Sequence, residues 1–372
     1  MKESVRNTAF LCGSVCALLS CVKFLPAMEA IEIGTSNINT QEETQEIPSA
    51  ETRPAETAPE SGSVTQPQVQ ASPETKQENT NIINIESDGS IAMHHARLYQ
   101  ETVSGDGGEI HDKHFGLQSG TPFFVLPNGG QVRNTTFWNN ADLLEESKIL
   151  PELDLKIDGT PMVLIYHTHT TESYVSAKTG NYDNNFNFRT TEPEYNMVAV
   201  GDAIAEQLAS ANVGVIHAKE LHDYPVWTGS YNNSAETIRS VLEQYPSVCI
   251  ALDIHRDAIS NGSVVTAPVA EIDGKQSAQI MIISGCDDGT MNMPEYRKNF
   301  HLASLIQQTA ERMYPGFTRP ILFDYRKYNQ NLTNGSLLIE VGSQGNTLEE
   351  ARYAGELTGK VLAETIRTLC NS

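Results

Sequence analysis

The sequence predicts an α/β fold in which helices cover both faces of a mostly parallel sheet, within residues 151–372. Two observations support this prediction. Short apolar runs alternate with segments of helical periodicity along this region, and strands that alternate with helices form parallel sheets. Polar clusters also follow three of the apolar runs, as expected at the edge of a parallel sheet where ligands bind.

The predicted strands are short apolar runs rich in β-branched residues. They lie at residues 162–166, 213–216, 248–252, 280–283 and 337–339. Segments in which apolar residues recur with helical spacing lie between or after them, at residues 197–208, 236–242, 302–313 and 348–369.

The N-terminus has the pattern of an export signal. Lys2 and Arg6 precede an apolar run from Thr8 to Val22, which predicts a signal peptide or signal anchor in residues 1–30. The run is short for a membrane span of roughly 20 residues, although residues 8–27 together reach that length. We therefore expect an exported protein, either membrane-anchored through residues 8–27 or secreted after cleavage.

Two segments separate this signal from the predicted α/β domain. Residues 31–81 are rich in Thr, Glu, Gln, Pro and Ser and have few large apolar residues, a composition that predicts a disordered linker. Residues 82–150 show no sustained period and form a less defined segment, either a small β-rich subdomain or an arm packed on the main domain. The four histidines of this segment are expected to be ordinary surface residues.

Charge and cysteine content exclude some functions. The chain has 47 acidic and 25 basic residues and a net charge of -22, so a nucleic-acid partner is not expected. The cysteines beyond the leader, Cys249, Cys286 and Cys370, have the spacing of neither a disulfide framework nor a structural zinc site. A metal site would therefore use histidine and carboxylate ligands.

Three polar clusters together predict such a site. His169 and Glu172 follow the first strand, and His255 follows the third. Catalytic zinc is typically held by three protein ligands of this kind, with a fourth position left for water. His167 is two residues before His169 and is an alternative ligand.

Glu340, at the end of the last strand, is the predicted proton-transfer residue. A carboxylate next to such an apolar run is expected to face a metal, a cation or water, and near a metal it would act as general base and then general acid. Arg256 could bind a substrate carboxylate, stabilise a developing oxyanion or pair with Glu340 or Asp257.

These segments also carry a resemblance to a known family. The stretches VLIYHTHTTESY, DIHRDA and YNQNLTNGSLLIEVGSQGNTLEEA resemble the stage II sporulation protein P family, over roughly residues 151–372. The resemblance implies a zinc amidase or carboxypeptidase-like fold with one zinc ion. It also implies cleavage of the amide between N-acetylmuramic acid and the L-alanine of the peptidoglycan stem peptide, during engulfment in sporulation, and an additional endopeptidase activity on peptide cross-links.

The same resemblance implies roles for particular residues and partners. His169 and His255 would be zinc ligands and Glu340 the catalytic carboxylate, while the third ligand is either Glu172 or Glu192, and His167 could exchange roles with His169. A lytic transglycosylase and membrane-anchor partners of the engulfment machinery are implied, with the protein facing the cell wall. Alternatives are a zinc peptidase that acts on wall peptides and a non-catalytic wall-binding scaffold.

Overall fold

The structure is a computed structural model that describes residues 81–87, 107–183 and 186–371. All of these residues fall within one compact unit that spans residues 73–372. The predicted export signal, residues 31–80 of the predicted linker, and His94 and His95 lie outside the described residues.

The described residues form fourteen strands. They are β1 (Ile82–Ile85), β2 (Gly108–Lys113), β3 (Phe123–Val125), β4 (Gln131–Asn134), β5 (Pro161–Tyr166), β6 (Asn181–Tyr182), β7 (Gly214–Ala218), β8 (Ile250–Asp257), β9 (Ser260–Asn261), β10 (Val264–Ile272), β11 (Lys275–Ala278), β12 (Ile280–Gly285), β13 (Ile321–Asp324) and β14 (Ser336–Ser343). The five helices among the described residues are α1 (Asn140–Glu146), α2 (Met197–Ser210), α3 (Ser230–Gln244), α4 (Tyr296–Met313) and α5 (Leu348–Cys370).

Nine strands form the central sheet, in the order β1-β7-β5-β8-β14-β12-β13-β4-β3. Six of its eight neighbouring pairs are parallel, and the antiparallel pairs are β14 with β12 and β4 with β3. The predicted mostly parallel sheet is therefore confirmed. The three strands that precede the polar clusters, β5, β8 and β14, are direct neighbours and run in the same direction.

Helices α2, α4 and α5 pack on one face of this sheet. Val163 and Ile165 of β5 point to this face and join one hydrophobic core with the three helices. Helices α2 and α5 approach each other closely at Gly359, where an added Cβ would lie 2.6 Å from the Cβ of Gln207. Only a residue without a side chain fits this contact without a shift of one helix.

Helix α3 covers part of the opposite face. Its residues Ile238 and Val241 pack with Leu164 and Tyr166 of β5 and with Ile216 of β7. Side chains alternate along a strand, so neighbouring residues of β5 belong to different cores on the two faces. This arrangement confirms the prediction of helices on both sides of the sheet.

A second sheet has the order β11-β10-β2-β6, and β9 pairs with β10. It packs against α5, where the hydroxyl of Tyr353 donates a 3.1 Å hydrogen bond to the carbonyl of Ile272. Residues 82–150 contribute to both sheets: β1, β3 and β4 belong to the central sheet and β2 to the second. Within the described residues, no helix combines the length and hydropathy that a membrane span requires.

A capping box begins the C-terminal helix. The hydroxyl of Thr347 accepts a 3.1 Å hydrogen bond from the backbone N–H of Glu350, whose carboxylate accepts one of 3.1 Å from the N–H of Thr347.

We predict that Thr347→Ala lowers the free energy of unfolding by about 1 kcal/mol, as measured by urea denaturation. Thr347→Ser keeps the hydroxyl and is the matched control; equal stability of the Ala and Ser variants would contradict the prediction.

Candidate active site

The register of three strands brings the predicted residues together. Tyr166, the last residue of β5, is paired with Asp253 of β8, and His255 is paired with Glu340 of β14. Paired residues on neighbouring strands lie side by side about 4.8 Å apart and point to the same face. Glu340 and His255 lie within their strands, because β8 and β14 extend several residues beyond the apolar runs seen in the sequence.

His255 is held by a buried carboxylate. Its Nε2 lies 2.8 Å from Oδ1 of Asp253, and its Nδ1 lies 3.7 Å from Oε2 of Glu172. Burial disfavours the charged imidazole, but the charge of Asp253 outweighs it and raises the pKa of His255 to about 9. The contact with Asp253 leaves the Nδ1 side of the ring facing Glu172.

Asp253 also fixes the loop that follows β5. The backbone N–H of Thr168 donates a 2.8 Å hydrogen bond to Oδ1 of Asp253, and the Thr168 hydroxyl donates a 2.7 Å bond to Oδ2. One buried carboxylate therefore contacts both the His255 ring and the residue immediately before His169.

His169 lies beside His255. The centroids of the two rings are 5.2 Å apart and their planes are nearly perpendicular. The side chain of His169 is 12% exposed, and its Nδ1 lies 4.0 Å from Oδ2 of Asp223. Burial lowers the pKa of His169 to about 4, an effect that Glu172 opposes.

Glu172 is a buried carboxylate surrounded by positive groups. Its Oε2 accepts a 3.3 Å hydrogen bond from the backbone N–H of Arg256, and its Oε1 lies 3.6 Å from a guanidinium nitrogen of Arg189. Burial raises the pKa of Glu172, but the charges of Arg256, His255, His169 and Arg189 together lower it below the usual value. The carboxylate is therefore held in its ionised form.

The side chain of Arg256 supports the loop that carries Glu172. Its guanidinium donates hydrogen bonds to the carbonyl oxygens of Ser173 at 2.8 Å, Phe188 at 3.0 Å and Asp257 at 3.3 Å. These are protein carbonyl groups rather than the carboxylates of Glu340 or Asp257 that the sequence suggested as partners. The carboxylate of Asp257 pairs with Arg319 at 2.8 Å instead.

Glu340 has a buried oxygen without a hydrogen-bond partner among the described residues, Oε2. Burial, followed by the nearby charge of Asp257, raises the pKa of Glu340 to about 8, although His255 lowers it. The Nε and Nη2 atoms of the neighbouring Arg319 are also buried without such a partner. Buried polar groups usually have a hydrogen-bond partner, so these are the atoms that a polar ligand beside Glu340 would satisfy.

The other two predicted ligands have different surroundings. Both ring nitrogens of His167 are engaged: Nδ1 donates to the carbonyl of Ile254 at 3.0 Å, and Nε2 lies 2.9 Å from Nε2 of His217. Burial and His217 lower the pKa of His167 to about 3. Glu192 lies just before α2, where its N–H donates to the hydroxyl of Thr190.

Four residues that border the cluster were not predicted from the sequence. Asp223 accepts hydrogen bonds from the N–H and hydroxyl of Thr171, and Arg189 donates to Asp223 at 2.8 Å. Trp227 stacks on His169, and Arg319 pairs with Asp257. Asp223 lies in the loop after the apolar strand β7, so a search for polar residues beyond strand ends would have identified it. Arg189 and Arg319 lie in no such sequence pattern.

The predicted metal ligands were tested against the observed donor atoms. No group of three or more His, Cys, Asp or Glu side chains in the described part of the chain forms a ready-made metal cluster. However, Nδ1 of His169 is buried without a hydrogen-bond partner there, and the donors of Glu172 and His255 are 3.7 Å apart. Two ligands of one tetrahedral zinc ion are ~3.4 Å apart when each bond is about 2.1 Å, so the donors of Glu172 and His255 have nearly the separation of two zinc ligands.

Comparison with known proteins gives matches in sequence and in structure. Stage II sporulation protein P of Bacillus subtilis (strain 168) is 28% identical over 214 residues, which cover 55% of this chain and 50% of that protein. The match therefore spans about half the length of this relative.

Solved structures show weaker similarities. The CwlD amidase from Clostridioides difficile, solved in complex with the GerS lipoprotein, has 12% sequence identity and a TM-score of 0.38, covering 56% of this chain and 98% of its own. The N-acetylmuramoyl-L-alanine amidase AmiC2 of Nostoc punctiforme has 11% identity and a TM-score of 0.35, covering 57% and 98%. Similarities at this level do not bear on the activity of the chain.

The family of the chain follows from its sequence over nearly the whole length. The family model for stage II sporulation protein P (SpoIIP) matches residues 22–366, which include both the central sheet and the cluster of His169, Glu172, His255 and Glu340. The chain belongs to the stage II sporulation protein P family.

Proposed function

We propose that this protein is a zinc-dependent peptidoglycan hydrolase that cleaves the amide between N-acetylmuramic acid and the L-alanine of the stem peptide. The observation that carries the proposal is the convergence of His169, Glu172 and His255 beside Glu340, whose buried Oε2 has no hydrogen-bond partner among the described residues. Membership of the SpoIIP family supports peptidoglycan as the substrate class, because the resemblance to this family implies activity on peptidoglycan.

His169, Glu172 and His255 would hold the metal, and His255 would lose its imidazolium proton when the metal binds. Two imidazoles and one carboxylate are a ligand set typical of catalytic zinc. A bound zinc ion would polarise the scissile carbonyl and acidify a water molecule. We favour Glu172 over Glu192 because the structure records a contact of Glu172 with His255, and His169 over His167 because both ring nitrogens of His167 are engaged with protein atoms.

Glu340 would move the proton. In its ionised form, which the positive charge of a bound zinc ion would favour, it takes a proton from the attacking water as the water oxygen joins the carbonyl carbon, and it returns a proton to the alanine nitrogen as the C–N bond breaks. The products are a free lactyl carboxylate on the sugar and a stem peptide with a free amino group. The pairing of Glu340 with His255 on adjacent strands puts the carboxylate next to the proposed ligands.

Two further residues would position this machinery. Asp253 would fix the orientation of the His255 ring, as carboxylates commonly do for metal-binding histidines. Arg256, which the sequence suggested as a group that contacts substrate, is proposed as a positioning residue, because its guanidinium bonds to carbonyl groups of the segments around Glu172.

The cellular setting is also a proposal. Export by residues 1–30, anchoring through residues 8–27 and action on the cell wall would suit a wall hydrolase of this family. A lytic transglycosylase and the membrane-anchored engulfment machinery are the partners that the family resemblance implies.

We predict that Glu340→Gln abolishes hydrolysis of purified peptidoglycan while metal binding persists. The amide cannot accept a proton, so the rate should fall at least ~100-fold, whereas the three ligands are unchanged. Release of stem peptides measured by mass spectrometry, together with the zinc content of the protein, checks this. Glu349→Gln, at an exposed carboxylate of α5, is the matched control, and normal hydrolysis by Glu340→Gln would contradict the mechanism.

A second prediction concerns Asp253. Asp253→Asn removes the negative charge beside His255, so the dissociation constant for zinc should rise roughly 10- to 100-fold, as measured by competition with a chromophoric chelator. His255→Ala should lose both metal and activity. Asp288→Asn, at an exposed position, is the control; an unchanged zinc affinity of Asp253→Asn would show that this carboxylate does not support a metal ligand.

A further inference from the structure

An aromatic side chain forms the rim of the site next to His169. The indole of Trp227 stacks on the His169 imidazole, with the ring centroids 5.0 Å apart and the planes 15° from parallel. Trp227 is nevertheless 49% exposed, so a large part of the indole remains open to solvent beside a proposed metal ligand.

The loop that carries Trp227 is anchored on both sides. Before it, Nδ1 of His222 donates a 2.8 Å hydrogen bond to the carbonyl of His167, and Asp223 binds Thr171. After it, the N–H and the hydroxyl of Ser230, the first residue of α3, donate to the carbonyl of Trp227. The position of the indole is therefore set by the fold and by His169.

Two tyrosines continue the aromatic surface. Tyr231 meets His169 edge-on at 5.7 Å between ring centroids and stacks on Tyr328 at 5.1 Å. Both tyrosines are partly exposed. We call Trp227, Tyr231 and Tyr328 the aromatic rim.

The rim segment is uncharged. Residues 224–231 read YPVWTGSY and contain no Asp, Glu, Lys or Arg, in contrast to the ion pairs of Glu172, Arg189 and Asp223 around the same histidine. Aromatic rings with polar tips suit ligands that have both an apolar and a hydrogen-bonding surface. A pyranose ring has these properties, because its axial C–H bonds form an apolar face and its edges carry hydroxyl and acetamido groups.

We infer that Trp227, within the aromatic rim, binds the sugar ring of the substrate and makes the site prefer a stem peptide attached to a sugar over a free peptide. This inference rests on the proposed function, since it assigns the sugar side of the proposed scissile amide to the Trp227 side of the site. A free wall peptide has no ring to stack on the indole and is bound without this contact.

Fluorescence gives a direct test that does not need catalysis. The chain has two tryptophans, Trp138 and Trp227, so Trp138→Phe leaves Trp227 as the single indole reporter. We predict that titration of this full-length variant with an N-acetylmuramoyl dipeptide changes its emission. A lactoyl dipeptide, which has the same amide bond but no sugar ring, should leave the emission unchanged.

Kinetics give the second readout. Trp227→Ala should lower kcat/KM for muramoyl peptides roughly five- to tenfold, mainly through KM, and leave kcat/KM for lactoyl peptides and the zinc content unchanged. Trp227→Phe should keep most of the sugar preference. Phe137→Ala, at an aromatic residue that is 98% exposed elsewhere on the protein, is the control.

Two outcomes would overturn the inference. One is an emission of Trp227 that does not respond to the muramoyl peptide; the other is an equal loss of activity on both substrates in Trp227→Ala, which would mean that the indole acts only by supporting His169. If the unmodified protein cleaves neither substrate, the proposed function fails, and the titration alone decides the sugar contact.

Discussion

The buried carboxylate of Asp253 is the contact on which the site depends. It pairs with His255 on its own strand and accepts two hydrogen bonds from Thr168, which lies in the loop after β5. His255 and Thr168 are almost fully or fully buried. Loss of the Asp253 carboxylate would therefore leave their polar groups without partners in the interior. One side chain therefore fixes strand β8 to the loop that carries His169 and Glu172. Strand β14 completes the site because its pairing with β8 places Glu340 beside His255.

Charge balance explains how so many ionisable groups tolerate burial at one place. Glu172 lies between the positive groups of Arg256 and Arg189, and Asp223 and Asp257 each pair with an arginine. Buried charges are tolerated when they are paired and hydrogen-bonded. Several buried polar atoms here have no hydrogen-bond partner among the described residues, including Oε2 of Glu340, Nδ1 of His169 and two nitrogens of Arg319. The first two are the atoms that the proposed mechanism gives to proton transfer and to the metal site.

The parallel part of the sheet and the residues at its edge could be predicted because both depend on local sequence patterns. Each strand contains an apolar run, and polar residues come at or directly after the end of that run. The second sheet, whose β10–β11 hairpin turns at Asp273 and Gly274, both with positive φ, was not predicted. An Asp-Gly pair between apolar segments is a hairpin signal that would have found it. The direction of β12 and the positions of Arg189 and Arg319 could not be predicted, since they depend on contacts between residues far apart in the chain.

The proposed mechanism requires one metal ion between three side chains next to Glu340. The most direct measurement is an anomalous X-ray diffraction map of crystals of the protein grown with zinc and recorded at the zinc absorption edge. We expect one strong peak about 2.0–2.2 Å from donor atoms of His169, Glu172 and His255, with the carboxylate of Glu340 beside it but not bound as a fourth protein ligand. A peak held by His167 or Glu192, or the absence of any peak at this cluster while zinc is present in excess, would contradict the proposed mechanism.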